Sequence, residues 1–281
     1  MKKVKITCDS TCDLTPELYA RCNADVMPLE INLGGEYYRD SVDITAEKIF
    51  EYVSATGVLP KTAAISAANY SKLFEKYTAR GYAVIHINIS SEFSSCYQNA
   101  CLAAAQLEDV YVIDSRNLSS GSGHLVMAAA ELAEEGLDAA EIADRLNEMK
   151  EKLDVSFVIQ TLDYLKKGGR CSSIVALGAS ILQLCPEIEV VDGAMRVRRK
   201  YRGKMKKTIT DYVKGRLEGR DDIDTKRIFI THSGVPAEIV EDIKTLVASL
   251  HAFDEIIETK AGCTVSSHCG PNCLGVLFFT K

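Results

Sequence analysis

The chain has 281 residues, of which 47% are hydrophobic and 26% charged, and its formal net charge is −6. This composition is typical of a soluble globular protein, and the acidic balance argues against a dedicated nucleic-acid-binding protein. No run approaches the roughly 18 uncharged apolar residues of a membrane-spanning helix, and the N-terminus lacks the apolar core of a signal peptide. The sequence therefore favours a cytoplasmic protein.

Strand-like and helix-like segments alternate through the first half of the chain. Thr15 and Thr45 are placed to cap helices, with Pro16 at a first helical position, and Asp138 caps a later helix. The spacing predicts strands at Val4–Cys8, Val26–Leu33, Tyr82–Ile89 and Val110–Ile113, and helices after Thr15, after Thr45, at Ala67–Arg80, Ser94–Leu107 and Gly121–Glu135, and after Asp138. Such alternation indicates a mostly parallel sheet covered on both faces.

The second half has a different pattern, with a hairpin signal around Asp192-Gly193. Strands are predicted at Val155–Gln160, 227–233, 255–260 and 274–280, and helices at Thr161–Lys167, Ser173–Cys185, Met205–Glu218 and Ala237–Leu250. We therefore predict a two-domain α/β protein. A mostly parallel N-terminal domain covers residues 1–154, and a smaller mixed α/β domain covers residues 155–281.

The stretch INISSEFSSCYQNA places four serines between a predicted strand and the next helix. Ligands of parallel sheets bind beyond the carboxyl ends of the strands, where helix N-termini favour anions. The ends at Asp9-Ser10-Thr11 and Asp114-Ser115 also carry hydroxyl groups. Ser94 and Ser95 can therefore hold an anion, although helix capping alone explains one serine.

The sequence gives little support to other anion-binding or catalytic motifs. The chain has neither a P-loop nor a complete dinucleotide fingerprint, and it lacks the G-x-S-x-G elbow of serine hydrolases. An acyl hydrolase or transferase that pairs Ser94 or Ser95 with His268 remains an alternative, in which the chain is an enzyme. Small-residue helices near these loops indicate either close packing or a slot for a narrow apolar ligand.

Two further features leave alternatives open. The pairs Cys8/Cys12 and Cys269/Cys273 permit a thiol-metal or redox protein, although their spacing is wider than in common zinc sites. The segment Arg196–Lys207 carries eight Lys or Arg in twelve residues. It is either a solvated hairpin arm or a surface for an acidic or phosphorylated partner.

Motifs along nearly the whole chain resemble those of the DegV family of fatty-acid-binding proteins. The motifs are ITCDSTCDL, LPKTAAIS, SSEFSSCYQNA, VIDSRNLSSGSG, LDYLKKGGRCS, RKYRGK and SSHCGPNCLGVLFF. The resemblance implies that the chain is not itself an enzyme. It implies a cytoplasmic carrier with no cofactor, which holds a long-chain fatty acid such as palmitate or stearate between two domains.

The resemblance also implies roles for particular residues. Thr62, Ser94 and His268 match the carboxylate-binding residues, and Ser95 and Arg170 lie beside them. Arg202 matches an arginine used in phosphoryl transfer with a partner fatty acid kinase, which forms an acyl phosphate, and a transient membrane-surface contact is compatible with this role. The chain departs from the family motifs at Ala63-Ala64-Ile65, Ser95-Cys96 and 269–272.

Overall fold

The computed structural model describes residues 2–172 and 184–281. The described strands are β1 (Val4–Asp9), β2 (Ala24–Met27), β3 (Glu30–Leu33), β4 (Glu36–Arg39), β5 (Lys61–Ala63), β6 (Ala83–Asn88), β7 (Val110–Asp114), β8 (Leu153–Val158), β9 (Leu184–Val191), β10 (Ala194–Arg202), β11 (Ile223–Ser233), β12 (Glu255–Lys260) and β13 (Cys273–Thr280). The described helices are α1 (Pro16–Arg21), α2 (Ala46–Thr56), α3 (Ala67–Thr78), α4 (Cys96–Ala104), α5 (Ser120–Glu134), α6 (Ala139–Met149), α7 (Asp163–Gly168), α8 (Met205–Leu217), α9 (Ala237–Leu250) and α10 (Cys263–Cys269).

Three sheets organise these strands. A parallel sheet has the order β2-β1-β6-β7, a small antiparallel sheet has the order β4-β3-β5, and a mixed sheet has the order β10-β9-β8-β13-β11-β12. In the mixed sheet β11 and β12 are parallel, whereas the other neighbours are antiparallel. The predicted α/β fold, parallel first and mixed second, is confirmed.

Helix ends follow the capping residues of the sequence. The side chains of Thr15, Thr45 and Asp138 each accept the backbone N–H three residues further on, which satisfies a donor that the helix leaves free. Gly57 ends α2 with a φ of 70°, a conformation that glycine adopts without a steric penalty. These predicted helix starts are confirmed.

Helix α5 lies between the parallel and mixed sheets. Its first eleven residues, Ser120–Ala130, are all buried, and the helix contacts β1 and β6 on one side and β8 and β13 on the other. A helix that is buried on every face belongs to the interior of a protein. The two sheets therefore share one hydrophobic core through α5, and the domain boundary near residue 154 stays a prediction.

Several sequence-based expectations need correction. The extended run Val26–Leu33 is two strands in different sheets, because Pro28 interrupts it and cannot donate a ladder hydrogen bond. The predicted helix over Ser173–Cys185 falls mostly outside the described residues, and Cys185 itself lies in strand β9. The sequence analysis also missed β4, β5 and α10.

Within the described ranges, the helices are too short or too polar to cross a lipid bilayer.

Candidate functional site

A cavity of about 150 Å³ lies where β6 and β7 end, facing strand β5 and helix α10. This is the edge of the parallel sheet at which the sequence predicted a ligand. The described residues lining this outer cavity are Leu29, Thr62, Ala63, Ala64, Ile89, Phe93, Ser94, Ser95, Leu118, Arg170, Met195, Thr264, Val265, His268 and Cys269. The structure therefore brings together Thr62, Ser94, Ser95, Arg170 and His268, which are distant in the sequence.

The four serines divide into two structural residues and two cavity residues. The hydroxyl of Ser90 donates to the carbonyl of Gly193 at 2.8 Å, and that of Ser91 donates to Asp114 Oδ2 at 2.6 Å. Ser94 and Ser95 line the outer cavity. Only the second serine pair thus lines the outer cavity, where the Ser94 hydroxyl donates to Cys96 Sγ at 3.2 Å.

Helix α4 begins directly after these serines, at Cys96 rather than at Ser94 as predicted. Ser94 Oγ accepts the backbone N–H of Cys96 at 3.3 Å, whereas the N-cap residue Ser95 makes no side-chain capping bond. The remaining N–H groups of the first turn contribute a partial positive charge beside the cavity, which favours an anion.

Thr62 and His268 form a hydrogen-bonded pair in the cavity wall. Thr62 Oγ1 lies 3.0 Å from His268 Nε2, although 206 residues separate them. Burial, and secondly the charge of Arg170, lower the pKa of His268 to about 4. The imidazole is therefore neutral near pH 7 and carries one N–H, which either nitrogen can hold.

Gly168 and Arg170 complete this side of the cavity. A Cβ atom at Gly168 would lie 2.5 Å from His268 Nδ1, so only glycine leaves room for the imidazole. Arg170 Nη1 donates to the carbonyl of Gly168 at 2.6 Å. Among the described lining residues Arg170 is a cation and none is acidic, so the electrostatic environment favours an anionic group.

Two buried aspartates hold the start of α10, the helix that carries His268. Asp13 Oδ1 accepts the N–H of Gly262 at 2.9 Å, and Asp40 Oδ1 accepts the N–H of Cys263 at 2.8 Å. Ser119 donates to Asp13 Oδ2 at 2.5 Å. Burial, together with the nearby Asp40 carboxylate, raises the pKa of Asp13 to about 7 despite these hydrogen bonds.

Thr264 is a cavity residue that the sequence analysis missed. It precedes His268 by four positions in α10, so both side chains lie on one face of the helix. Thr264 Oγ1 is buried, and it has no hydrogen-bond partner in the part of the chain that the structure describes. The i, i+4 spacing is the signal, but it is informative only once α10 is known to be a helix.

Below the outer cavity lies a smaller and almost wholly apolar inner cavity of about 30 Å³. Leu118, Val265 and Cys269 line both cavities and separate them. Phe157 and Leu277 of the mixed sheet line the inner one. The outer cavity, whose lining includes both polar and apolar side chains, is therefore separated from the apolar interior between the sheets by the three shared residues alone among the described ones.

The predicted slot between the small-residue helices is not where this cavity lies. None of the residues lining the outer cavity belongs to α4 or α5. A Cβ atom at Gly123 of α5 would lie 2.8 Å from the Cys12 carbonyl. The small side chains of α5 thus permit close packing, the simpler of the two interpretations.

Arg202 is not brought to the cavity. It is exposed at the end of β10, seven residues along the strand from the cavity residue Met195. At roughly 3.2–3.4 Å per residue, and with the strand shortened by the irregularity between Val197 and Arg199, the two Cα atoms lie about 20 Å apart. The basic segment around Arg202 is partly paired, for example Arg198 with Glu187 and Lys206 with Asp242.

The cysteine pairs predicted from the sequence are real neighbours. Burial and then the neighbouring Cys8 raise the pKa of the Cys12 thiol, the neighbouring Cys269 and then burial raise that of Cys273, and all four side chains are buried. Across residues 2–172 and 184–281, no three or more His, Cys, Asp or Glu side chains converge as metal ligands would. The described residues thus offer no site for the four-thiolate metal alternative.

The family model described as "Uncharacterised protein, DegV family" matches residues 3–281. The chain belongs to the DegV family. The resemblance seen in the sequence motifs is thereby confirmed. A DegV domain-containing protein of Clostridium perfringens is 35% identical, covering 99% of each chain. One from Clostridium acetobutylicum is 33% identical over the full length of both.

Solved DegV structures have the same fold. A Thermus thermophilus structure titled "Fatty Acid Binding of a DegV family Protein" superposes with a TM-score of 0.89 at 29% identity, and both chains are fully covered. A stearic acid-binding protein from Eubacterium ventriosum superposes with a TM-score of 0.86 at 26% identity, covering 100% of this chain and 99% of its own. These similarities support the α/β architecture described above.

Proposed function

We propose that this DegV protein binds a long-chain fatty acid, with the carboxylate held in the outer cavity by Thr62, Ser94 and His268. The observation that carries the proposal is the cavity itself. Hydroxyl groups, a neutral imidazole and the cation Arg170 surround a space without described acidic residues, and that space leads to an apolar interior. Fatty acid binding by the Thermus thermophilus and Eubacterium ventriosum proteins supports it.

The two parts of the ligand have different energetic roles in this proposal. Burial of the alkyl chain contributes about 0.8 kcal/mol for each CH₂, so the tail supplies most of the affinity. The carboxylate fixes the orientation, because its oxygens accept hydrogen bonds from the hydroxyl groups and from one imidazole N–H. Ser95 and Arg170 lie close enough to support the same group, and no cofactor takes part.

Native mass spectrometry of the recombinant protein, followed by lipid extraction, tests the proposal. We expect a non-covalent adduct that yields palmitate, stearate or a related acid. Protein that emerges empty, and that stays empty when palmitate is supplied, would contradict fatty acid binding.

Substitutions in the outer cavity test the carboxylate contacts. Ser94→Ala and His268→Ala should each weaken binding of palmitate about 10–100-fold, because a hydrogen bond to a charged group contributes about 1.5–3 kcal/mol. Binding of methyl palmitate should change much less, since the ester carries no charge. Titration calorimetry or a fluorescent-probe displacement assay measures both ligands.

Ser91→Ala is the matched control, because Ser91 belongs to the same loop but bonds Asp114. It should not discriminate acid from ester. Equal losses for the two ligands in Ser94→Ala and His268→Ala would mean that these side chains do not contact the carboxylate.

A hydrolase or acyltransferase that uses Ser94 or Ser95 with His268 is the enzyme alternative. In the described part of the chain His268 bonds Thr62, and neither serine bonds the imidazole. A serine nucleophile requires a base within hydrogen-bond reach, so this geometry favours a carrier. A covalent acyl adduct in the mass spectrum would favour the enzyme.

We further propose that the bound acid is presented to a partner kinase, which forms the acyl phosphate, and that Arg202 contacts that partner. Among the described residues, Lys200, Arg202 and Lys204 form no ion pair, so their charge is available to an acidic or phosphorylated surface. Arg202 lies about 20 Å along β10 from the cavity residue Met195. We therefore expect Arg202 to contact the partner and not the bound acid. A transient contact with a membrane surface would suit ligand exchange.

Arg202→Ala should leave palmitate binding unchanged and reduce acyl phosphate formation by a bacterial fatty acid kinase by at least tenfold. Arg196→Ala is the matched control, because Arg196 lies on the same strand and pairs with Asp192. Measurement of acyl phosphate as its hydroxamate quantifies the product. Unchanged product formation by Arg202→Ala would refute the proposed role of Arg202, but it would leave fatty acid binding untouched.

A further inference from the structure

Cys269 and Cys273 place two thiols against each other inside the protein. Cys269 ends α10 and Cys273 begins β13, and the chain reverses between them with φ values of 75° at Gly270 and 60° at Asn272. Both side chains line the inner cavity, and the neighbouring Cys269 thiol raises the pKa of the Cys273 thiol. A disulfide, in which the two sulfurs lie about 2 Å apart, can therefore form by a local movement of these side chains.

The two thiols border the cavities rather than the protein surface. Cys269 and Cys273 are only 3% and 7% exposed. Cys269 lines both the outer and the inner cavity, and Cys273 lines the inner one. A reagent therefore reaches this pair through the cavity, and a molecule that fills the cavity blocks it.

We propose that Cys269 and Cys273 form an oxidisable dithiol in the cavity wall, a modification site that a peroxide converts to a disulfide when the cavity is empty. The Cys269 sulfur, as thiolate, attacks the O–O bond, which breaks, so that sulfenic acid forms and water leaves with the thiol proton. The Cys273 sulfur then attacks the Cys269 sulfur. The S–O bond breaks, the S–S bond forms, and a second water leaves.

The two steps balance. Two thiols lose two electrons and two protons, and hydrogen peroxide accepts them to become two waters. The neighbouring Cys269 thiol and burial hold the pKa of the Cys273 thiol well above its usual range. Cys273 is therefore a poor nucleophile toward peroxide, and we assign it the second step because the oxidised sulfur then lies beside it.

Cys8 and Cys12 provide an internal comparison with the same sequence spacing. Burial and then the neighbouring Cys8 raise the pKa of the Cys12 thiol, and each side chain is 0% exposed. Neither residue lines the outer or the inner cavity. If access through the cavity determines reactivity, the Cys269/Cys273 pair oxidises and the Cys8/Cys12 pair does not.

The dithiol also couples to the ligand, a consequence that rests on the proposed function. A disulfide moves the Cys269 sulfur toward Cys273, at the constriction through which an alkyl chain passes from the outer to the inner cavity. Packed interiors tolerate such shifts poorly. Oxidation should therefore weaken binding of palmitate, whereas octanoate, whose alkyl chain is about half as long, should be affected less.

The test exposes delipidated and palmitate-loaded protein to hydrogen peroxide, and mass spectrometry then maps the tryptic peptides. Residues 6–21 contain Cys8 and Cys12, and residues 261–281 contain Cys269 and Cys273, so each pair falls within one peptide. We expect peptide 261–281 of the empty protein to lose two hydrogen atoms, with fragmentation placing the bond between Cys269 and Cys273. Peptide 6–21 should stay reduced, palmitate should slow the reaction at least tenfold, and dithiothreitol should reverse it.

Equal oxidation of both peptides, a bond to Cys263, or no oxidation of the empty protein would overturn the proposal. Palmitate affinity measured before and after oxidation should fall about tenfold, and an unchanged affinity would overturn the coupling. Cys273→Ser should abolish the affinity change, and Cys269→Ala serves where Cys273→Ser does not fold. Because oxidation of the empty protein needs no ligand, its result remains informative even where palmitate binding fails.

Discussion

The interpretation of Thr264 changes once the residues around it are known. Its hydroxyl is buried beside His268 and has no hydrogen-bond partner among the described residues. A buried hydroxyl without a partner costs about 1–3 kcal/mol. A ligand carboxylate would remove that cost, so we count Thr264 with Thr62, Ser94 and His268 as a candidate contact.

Thr264→Val should therefore weaken palmitate binding about 2–10-fold and leave methyl palmitate nearly unaffected, as expected for loss of one hydrogen bond. The empty variant should be at least as stable as the wild type, because the unpaired hydroxyl is gone. Thr208→Val is the control for ligand binding, since Thr208 is also buried but lies away from the cavity in α8, where its hydroxyl donates to the Gly203 carbonyl. Calorimetric titration measures the affinity for both ligands. A Thr264→Val variant that binds palmitate as tightly as the wild type would contradict the prediction.

At the scale of elements, α10 shows what local sequence patterns do not reveal. Its residues Cys263–Cys269 are mostly weak helix formers, and the helix has only seven residues. Its start is held by Asp13 and Asp40, which lie more than 200 positions earlier in the chain. Helices with their own caps, such as α2 and α6, could be predicted, whereas a helix stabilised by distant carboxylates could not.

Asp13 should also make the stability of the protein depend on pH. Its pKa of about 7 in the folded state lies above that of an unfolded aspartate. Between about pH 4 and 7 the folded state therefore binds a proton that the unfolded state lacks, so this contribution to stability is fully present below about pH 4, decreases over that range and is lost above about pH 7. Asp13→Asn, which stays neutral and can still accept the Gly262 N–H, should remove it.

We expect the free energy of unfolding of the wild type, relative to that of Asp13→Asn, to fall by about 1–3 kcal/mol between pH 5 and pH 8. Urea denaturation of both proteins at the two pH values measures this difference, and other titrating groups cancel in the comparison. An identical pH dependence in the two proteins would show that Asp13 titrates normally.

For the whole molecule, the order of strands and helices could be predicted from the sequence, but the packing of the sheets and helices against one another could not. Alternating patterns and capping residues located most elements within a few residues. The sharing of one core by both sheets depends on α5, whose small and apolar residues are compatible with several packings. Likewise, the candidate site residues were suggested by family motifs, whereas the Thr62–His268 contact required the tertiary structure.

Because α5 belongs to the cores of both sheets, heat should unfold the described structure in a single transition. Palmitate at 100 times its dissociation constant should stabilise that transition by about 2.7 kcal/mol, through binding to the folded state alone. Differential scanning calorimetry with and without palmitate checks both expectations. Two transitions, of which palmitate shifts only one, would indicate that the halves unfold independently.

The pairing of Thr62 with His268 has a consequence for the protein during its synthesis. The ribosome makes the imidazole more than 200 residues after the threonine that it contacts. A chain that stops short of α10 lacks His268, Thr264 and the cavity wall they form. Retention on an immobilised fatty acid would therefore separate finished molecules from incomplete ones.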